Sequence, residues 1–302
     1  MNNIRRFLLN HVLFVLTAVI FFTSCSNPRY INSPAVHNAA FFKEQGDFKF
    51  SVAGAGNPAK IFSKIDDNDT GETLDHSLGF DGQAAVAVTN HFMITAGAMY
   101  RREQDKYDND DLKISSRSKV NYHRRMFDIG AGFFTPIGQS EKVFFNGVLG
   151  VGFGSMSSDD NGLPYDAARY RSYKADLIKY YLTPSFNFFF NDYLRMAIAP
   201  KFSLLKLNNI KTNYTTEEEI SLGYEHARNH TFGLFEPSVL LQTGFRNNEW
   251  LKLDFGFNFA SDPFTSRTKK GRYVDYPDIE TYNVESRNFI FSIGLSFYPM
   301  RK

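Results

Sequence analysis

The segment Leu251–Phe259, LKLDFGFNF, has an apolar side chain at every odd position and Lys252, Asp254, Gly256 and Asn258 at the even positions. Alternation with a period of two predicts a β-strand, because successive side chains of a strand point to opposite faces. One face of this strand is large and apolar, and the other is polar or small. The same alternation recurs along most of the chain, most clearly over residues 178–188, 194–204 and 289–297.

Ten such strands are predicted after residue 47. They cover residues 48–56, 78–89, 92–102, 120–135, 142–155, 173–190, 193–208, 230–246, 250–261 and 287–299. Tight turns alternate with five long polar loops, at 57–77, 103–119, 156–172, 209–229 and 262–286. An even number of antiparallel strands connected in this way is typical of transmembrane β-barrels, whose short turns face the periplasm. The predicted fold is all-β: an antiparallel up-and-down transmembrane barrel of about ten strands, over residues 48–302.

The composition excludes two other classes of protein. Lys and Arg number 34 against 32 Asp and Glu, and a net charge of +2 is too small for a nucleic-acid-binding polycation. Aromatic residues make up 16% of the chain, which is more than a disordered chain carries. A soluble barrel would show the same alternation. Against it, small residues on the polar face, such as Gly130, Gly132 and Gly150, suit a narrow interior better than an exposed surface.

Three prolines interrupt the apolar face of neighbouring strands, Pro184, Pro200 and Pro237. Proline cannot donate a hydrogen bond to the strand ladder, and a closed barrel has no free edge where it could be placed. Bulges or bends are therefore predicted at these positions.

The N-terminus has the features of a secretory signal followed by a lipid attachment site. Residues 1–24 combine two early arginines with an apolar stretch that is too short to span a membrane comfortably. The next residue is Cys25, the single cysteine of the chain, and Thr23-Ser24-Cys25 resembles a bacterial lipobox. That resemblance implies a covalent lipid on Cys25, and no other cofactor is predicted. Residues 25–47 are predicted to be a lipidated linker, with both chain ends on the periplasmic side.

Several features together resemble small outer-membrane β-barrel proteins of the Bacteroidota, including lipidated ones. They are the lipobox, the hairpin around Gly79–His91 and the closing Gly294–Pro299. The resemblance covers most of the mature chain but is one of pattern, and the chain continues to Lys302 where many relatives stop at a terminal Phe. It implies a place in the bacterial outer membrane and no specific activity.

A network of charges is predicted inside the barrel, because ten strands enclose little space and buried charges must be paired. Four acids and six bases fall on the inferred inward face: Lys49, Asp81, Arg124, Asp128, Lys179, Arg195, Lys201, Glu236, Lys252 and Asp254. One interpretation is a structural core of salt bridges. The alternative is a narrow pore lined by opposed charges, which would pass ions or small solutes.

The loops offer other candidate sites. The acidic stretches Asp66–Gly71 and Asp105–Asp111 could hold calcium, although Ser77 stands where a calcium loop following the first would need a bidentate acid. No metal site is predicted from them. The basic stretch Thr265–Arg272 could contact lipopolysaccharide. Tyrosines in or beside the loops favour recognition of a protein or glycan: Tyr165, Tyr170, Tyr173, Tyr214, Tyr224, Tyr273, Tyr276 and Tyr282.

Enzymatic activity is not predicted. Barrel enzymes similar to omptin proteases or lipid-modifying acyl hydrolases need a His near an acid or a Ser at the outer rim. His123 and His230 fall near strand ends, with Asp159, Asp160 and Glu225 in predicted loops, but no spacing singles out a triad. The sequence favours a non-enzymatic accessory or binding subunit of an envelope complex, with a narrow pore and a hydrolase as the alternatives.

Overall fold

The computed structural model describes residues 29–57, 72–107, 118–139, 141–163, 166–191, 193–245, 248–261 and 284–299. The predicted signal peptide and Cys25 lie outside these residues, as do the acidic stretch 66–71 and the basic stretch 265–272.

Twelve strands and two short helices are found in the described residues, and ten of the strands form the barrel. In chain order the elements are β1 (Tyr30–Asn32), β2 (Phe48–Gly56), β3 (Glu72–Ala87), β4 (Phe92–Tyr107), β5 (Ser118–Pro136), β6 (Val143–Leu163), β7 (Asp166–Phe189), β8 (Leu194–Thr212), α1 (Thr216–Ser221), α2 (Tyr224–Asn229), β9 (Thr231–Phe245), β10 (Asn248–Phe259), β11 (Glu285–Ser286) and β12 (Phe289–Phe297). Within the described part of the chain, neither helix has the length and apolar character needed to cross a membrane.

The barrel closes by sequential antiparallel pairing from β2 to β10, and β12 lies between β10 and β2. Leu253 pairs with Leu295 on one side of this closing strand, and Phe297 pairs with Phe50 on the other. The prediction of an all-β, up-and-down antiparallel barrel of ten strands is confirmed. Separately from the ten strands of the wall, β1 and β11 form a small parallel sheet.

The strands are longer at one end than the alternation predicts. At the end with the short turns, each observed strand boundary lies within two residues of the predicted one. At the opposite end, β6 continues to Leu163 and β7 begins at Asp166, so most of the predicted loop 156–172 is strand. The predicted loop 209–229 is also wrong, because β8 continues to Thr212 and α1 and α2 follow it. We call these two ends the turn end and the loop end.

An apolar belt surrounds the outside of the barrel next to the turn end. On β7 the belt runs from Phe188 to Ile178, ten residue steps, and the outward residues beyond it are the exposed Asp176 and Lys174. Ten steps cover about 33 Å along a strand, or about 25 Å across the membrane at a tilt of about 40°. This height matches the apolar band of a transmembrane barrel, which is about 25 Å tall. The loop end of the wall therefore extends beyond the apolar belt.

The three prolines lie side by side across β7, β8 and β9. Pro200 pairs with Pro237, and the register places Pro184 opposite Pro200. The predicted bulges are wrong at these positions, because the register is the same on both sides: Leu182 pairs with Phe202 and Phe186 with Ile198. The β7–β8 pairing is interrupted between these pairs. Aligning the prolines confines the missing donors to one level of the barrel.

Candidate functional site

Residues 29–42 lie inside the barrel, and we call them the plug. Ile31 and Ala39 are 0% and 1% exposed, and Phe42 is 1% exposed. This stretch is part of the predicted linker, and its chain is largely extended and enclosed by the wall. After the plug, a turn at residues 43–47 leads into β2.

The turn end of the lumen is sealed by the last four residues of the plug. Phe41 packs against Phe189 and Phe42 against Phe134, with ring centres 5.7 and 6.0 Å apart. The Ala40 carbonyl accepts two hydrogen bonds, each 2.9 Å long, from the side-chain amides of Asn146 and Asn187. These two asparagines are buried on β6 and β7, and the plug backbone supplies their partner.

The centre of the plug is held by polar side chains that replace strand pairing. The Val36 backbone N–H donates to Asp81 at 3.2 Å, and the Val36 carbonyl accepts from Gln83 at 2.6 Å. The next N–H, of His37, donates to the Asn258 side chain at 3.2 Å. Because a buried peptide group without a partner is costly, these inward side chains allow an extended chain to lie in the lumen.

Nearer the loop end, the plug enters a group of buried charges. Lys179 and Glu236 form a salt bridge of 2.7 Å. The Asn32 side chain accepts from Lys179 and donates to Glu236, at 3.2 Å in each case. On the facing wall, Ser33 donates to Glu103 at 3.0 Å. Through these contacts the plug connects strands on opposite sides of the barrel.

A ring of arginines and acids surrounds the first residues of the plug. Arg29 forms a 2.7 Å salt bridge with Asp160. The Arg287 guanidinium lies over the Tyr30 ring at 3.7 Å and forms an ion pair with Asp105. Asp105 was considered for calcium binding from its sequence, but it points into the lumen and its partner there is an arginine. No cluster that could hold a metal ion is found among the described residues.

A cap formed by α1 and α2 covers this end of the plug. Thr215 and Glu218 form a capping box at the start of α1. Tyr173 and Tyr224 stack with their ring centres 4.1 Å apart, and Tyr214 packs beside them at 5.5 Å from Tyr224. Burial raises the pKa of the Tyr214 and Tyr224 hydroxyls. These three tyrosines, predicted to recognise a partner, instead form the buried core of the cap, whereas Tyr170 is exposed.

The predicted inward residues all lie on the lumen side of the wall, where they have several different partners. Lys179 pairs with Glu236, Asp81 with Arg101 and Arg124 with Glu103. Asp254 accepts from Gln242 at 2.9 Å and also accepts from Ser296. Tyr181 donates to Asp128 at 2.8 Å.

The remaining cations among the predicted residues have other surroundings. Lys49 donates to the Ala39 carbonyl at 2.9 Å, and Lys252 is buried on β10. Arg195 lies 5.9 Å from the Phe41 ring, and Lys201 lies 4.4 Å from that of Tyr181.

Among the described residues, further buried charges face the lumen or lie in the plug without having been predicted there: Arg29, Arg101, Glu103, Asp105, Asp160, Arg171 and Arg287. Arg101 and Arg287 lie at the ends of predicted strands, and the others lie where apolar alternation does not indicate a strand. The T-x-x-E sequence at Thr215–Glu218 was an available signal for α1, because it is the signature of a capping box.

A small cavity lies beside the plug. A cavity of about 50 Å³ adjoins Pro34–Asn38 and is bordered by Asp128, Tyr181, Lys201 and Glu236. A cavity of this size, bordered by charged side chains, has room for a few water molecules. Its dimensions suit hydration of the buried charges better than passage of a solute.

The residues considered for catalysis are separated by the fold. His123 lies on the outward face of β5, and the exposed His230 follows α2, on the far side of the barrel. Asp160 faces the lumen and pairs with Arg29. Asp159 accepts a hydrogen bond from Tyr170 on the outer surface.

Close packing inside the wall predicts a position-specific effect of adding a methyl group. A Cβ at Gly150 would overlap the Tyr181 ring, whereas a Cβ at Gly82 would have open space around it. We expect Gly150→Ala to displace Tyr181 from Asp128 and to destabilise the barrel by about 1–3 kcal/mol. Gly82→Ala is the matched control and should have no such cost. The measurement is urea unfolding in detergent micelles, and equal midpoints for the two variants would contradict this packing.

The fold and the filled lumen define a class: a closed, ten-stranded barrel of the outer-membrane type with a plug from its own chain. No protein-family model matches the sequence, and a comparison with curated proteins also finds no match. Among solved structures, the translocator domain of the autotransporter NalP from Neisseria meningitidis is 10% identical, with a TM-score of 0.47, over 86% of this chain and 89% of that chain. The transport unit of the autotransporter AIDA-I from Escherichia coli is 8% identical, with a TM-score of 0.42, over 87% and 93%. An outer membrane channel from Pseudomonas putida F1 is 8% identical, with a TM-score of 0.37, over 87% and 100%.

Proposed function

We propose that the protein spans the bacterial outer membrane as a non-conducting, non-enzymatic barrel and acts as an accessory or binding subunit of an envelope complex. The observation that carries this proposal is the plug, which occupies the lumen from the aromatic seal at Phe41 and Phe42 to the salt bridge of Arg29. A lumen closed by residues of the same chain leaves the loop end as the surface that a partner can reach. A lipid on Cys25 would add a second attachment to the membrane.

The loop end has the properties of a binding platform. The wall extends beyond the apolar belt, and the packed cap stiffens it. Outward-facing basic residues lie just above the belt, where lipopolysaccharide head groups would meet them: Arg102, Arg125, Lys174 and Lys206. These cations support contact with anionic lipid groups or with an acidic partner surface.

The test is gentle detergent extraction of the native membrane, pull-down through the C-terminal tail and mass spectrometry of the proteins recovered. We expect a stoichiometric envelope protein that is lost from Lys174→Glu/Lys206→Glu and kept by Lys201→Met. The first variant reverses charges on the outer surface, and the second removes a charge inside the lumen. Recovery of the barrel alone would contradict the accessory role.

The two alternatives have separate readouts. A narrow pore requires a conductance of the intact protein that changes when Lys201 or Asp254 is neutralised. An enzyme requires turnover that is lost in His123→Ala or His230→Ala while the barrel remains folded. Either result would replace the proposed function.

A further inference from the structure

The direction of the plug determines which end of the barrel the N-terminus leaves. At the turn end, the Gln45 N–H donates to Asn90 at 2.9 Å and the Gly46 N–H donates to Ala87 at 2.7 Å, beside the β3–β4 turn. At the other end of the plug, the Arg29 carbonyl accepts from Glu285 at 2.9 Å, beside the start of β12. The chain therefore runs the full length of the lumen before β2 begins.

Arg29 lies beyond the membrane on the loop side. Its partner Asp160 is seven residue steps past Phe153, the last apolar outward residue of β6. Seven steps of a strand tilted by about 40° correspond to about 18 Å along the membrane normal. The sequence prediction that both chain ends lie on the periplasmic side would require the chain before Arg29 to return past the whole barrel. The C-terminal strand ends at the turn end, whereas the N-terminal residue of the plug is at the loop end.

We propose that the N-terminal segment crosses the outer membrane through the lumen of its own barrel, so that the residues before Arg29 are displayed on the cell surface. This inference rests on the proposed outer-membrane location, with the turn end in the periplasm. Three residues separate Cys25 from Arg29, and the four residue steps between them span about 14 Å at most. That length does not return the chain to the periplasmic side, and the plug already fills the lumen. A lipid on Cys25 then belongs to the outer leaflet rather than the inner one.

The contacts along the plug hold it at a fixed position in the lumen. Asn32 and Arg29 bond to buried acids on β9 and β6, and the paired phenylalanines close the turn end. Because the plug is continuous with β2, closure of the wall around it when β12 pairs with β2 would place it in the lumen without a separate export step.

The test uses single cysteines and a polyethylene-glycol maleimide that is too large to pass the outer membrane of intact cells. Lipidation occupies the thiol of Cys25, so Asn27→Cys reports the displayed segment. Asn161→Cys reports the loop end and Gln139→Cys the turn end, and both positions are exposed. We expect labelling of Asn27→Cys and Asn161→Cys on intact cells, and of Gln139→Cys only after permeabilisation. Heat-dependent gel mobility confirms that each barrel is folded.

The other outcomes show whether the inference alone is overturned or the proposed function is overturned with it. If Asn161→Cys is labelled on intact cells but Asn27→Cys reacts only after permeabilisation or denaturation, the inference is overturned and the proposed function stands. If Gln139→Cys is the position labelled on intact cells, the orientation is reversed and both are overturned. A matched variant lacking residues 29–42 joins Pro28 directly to Lys43 at the turn end, so its Asn27→Cys should lose labelling on intact cells.

Discussion

Deleting residues 29–42 should convert a barrel without measurable conductance into one that passes ions in discrete steps. The deletion removes the aromatic rings of Phe41 and Phe42 from the turn end and the Arg29–Asp160 contact from the loop end. The charged wall that remains, including Lys179 and Glu236, would then face water along the whole lumen. Single-channel recording in a planar bilayer is the measurement, with heat-dependent gel mobility as the check that the deleted barrel folds.

A milder change separates loss of the plug from damage to the wall. Phe41→Ser/Phe42→Ser keeps the length of the chain and removes only the aromatic seal. We expect brief, flickering openings from this variant, because the centre of the plug is still held by Asp81 and Gln83. Phe48→Ser, an exposed outward residue, is the control and should stay closed. A wild-type barrel that conducts as readily as the deletion variant would show that the plug does not close the lumen.

The second large effect is expected at Arg124, which is 2% exposed and forms an ion pair with Glu103 inside the lumen. Arg124 also donates to the Tyr30 carbonyl of the plug. Arg124→Met should lower the free energy of unfolding by about 3 kcal/mol, because the buried Glu103 loses its nearest cation and keeps an ion pair with Arg287 at 3.7 Å. The adjacent Arg125 points outward and donates to Ser155 at 2.8 Å in an exposed position.

Arg125→Met is therefore a control of identical chemistry, one residue away on the same strand, and its effect should stay within about 0.5 kcal/mol. Urea titration in micelles, monitored by tryptophan fluorescence of Trp250, gives both values. Similar midpoints for the two variants would mean that the lumen at this level is hydrated and that its ion pairs contribute little to stability.

The strands could be predicted from sequence only where one face of the strand is apolar and faces lipid while the other faces the lumen. Along β7, the outward residues Ile178, Tyr180 and Leu182 are apolar, whereas the lumen-facing Lys179 is charged. The two-residue period of the strand is therefore visible in the sequence. Past Asp176 the outward face meets water, whereas the inward Ala175 and Tyr173 pack into the apolar core of the cap. The apolar residues have changed face, so the outward apolar pattern ends although the strand extends to Asp166.

The plug left no periodic signal because each of its residues meets a different part of the wall. Val36 is held by polar side chains, Phe41 by an aromatic ring and Arg29 by a carboxylate. An extended chain in a lumen has no repeating environment, so its sequence has no repeat. The pairing of Asp81 with Arg101 could not be read either, because it depends on the register of β3 against β4.

Hydrogen–deuterium exchange of residues 33–42 in the purified, detergent-solubilised protein tests the filled lumen most directly. A peptide of the same sequence in water supplies the unprotected rate. We expect these amides to exchange as slowly as those of β6 and β7, because Val36, Ala39 and Phe42 are buried inside the wall. Exchange at the rate of the free peptide, with β6 and β7 still protected, would show that the segment lies outside the barrel and would contradict the account.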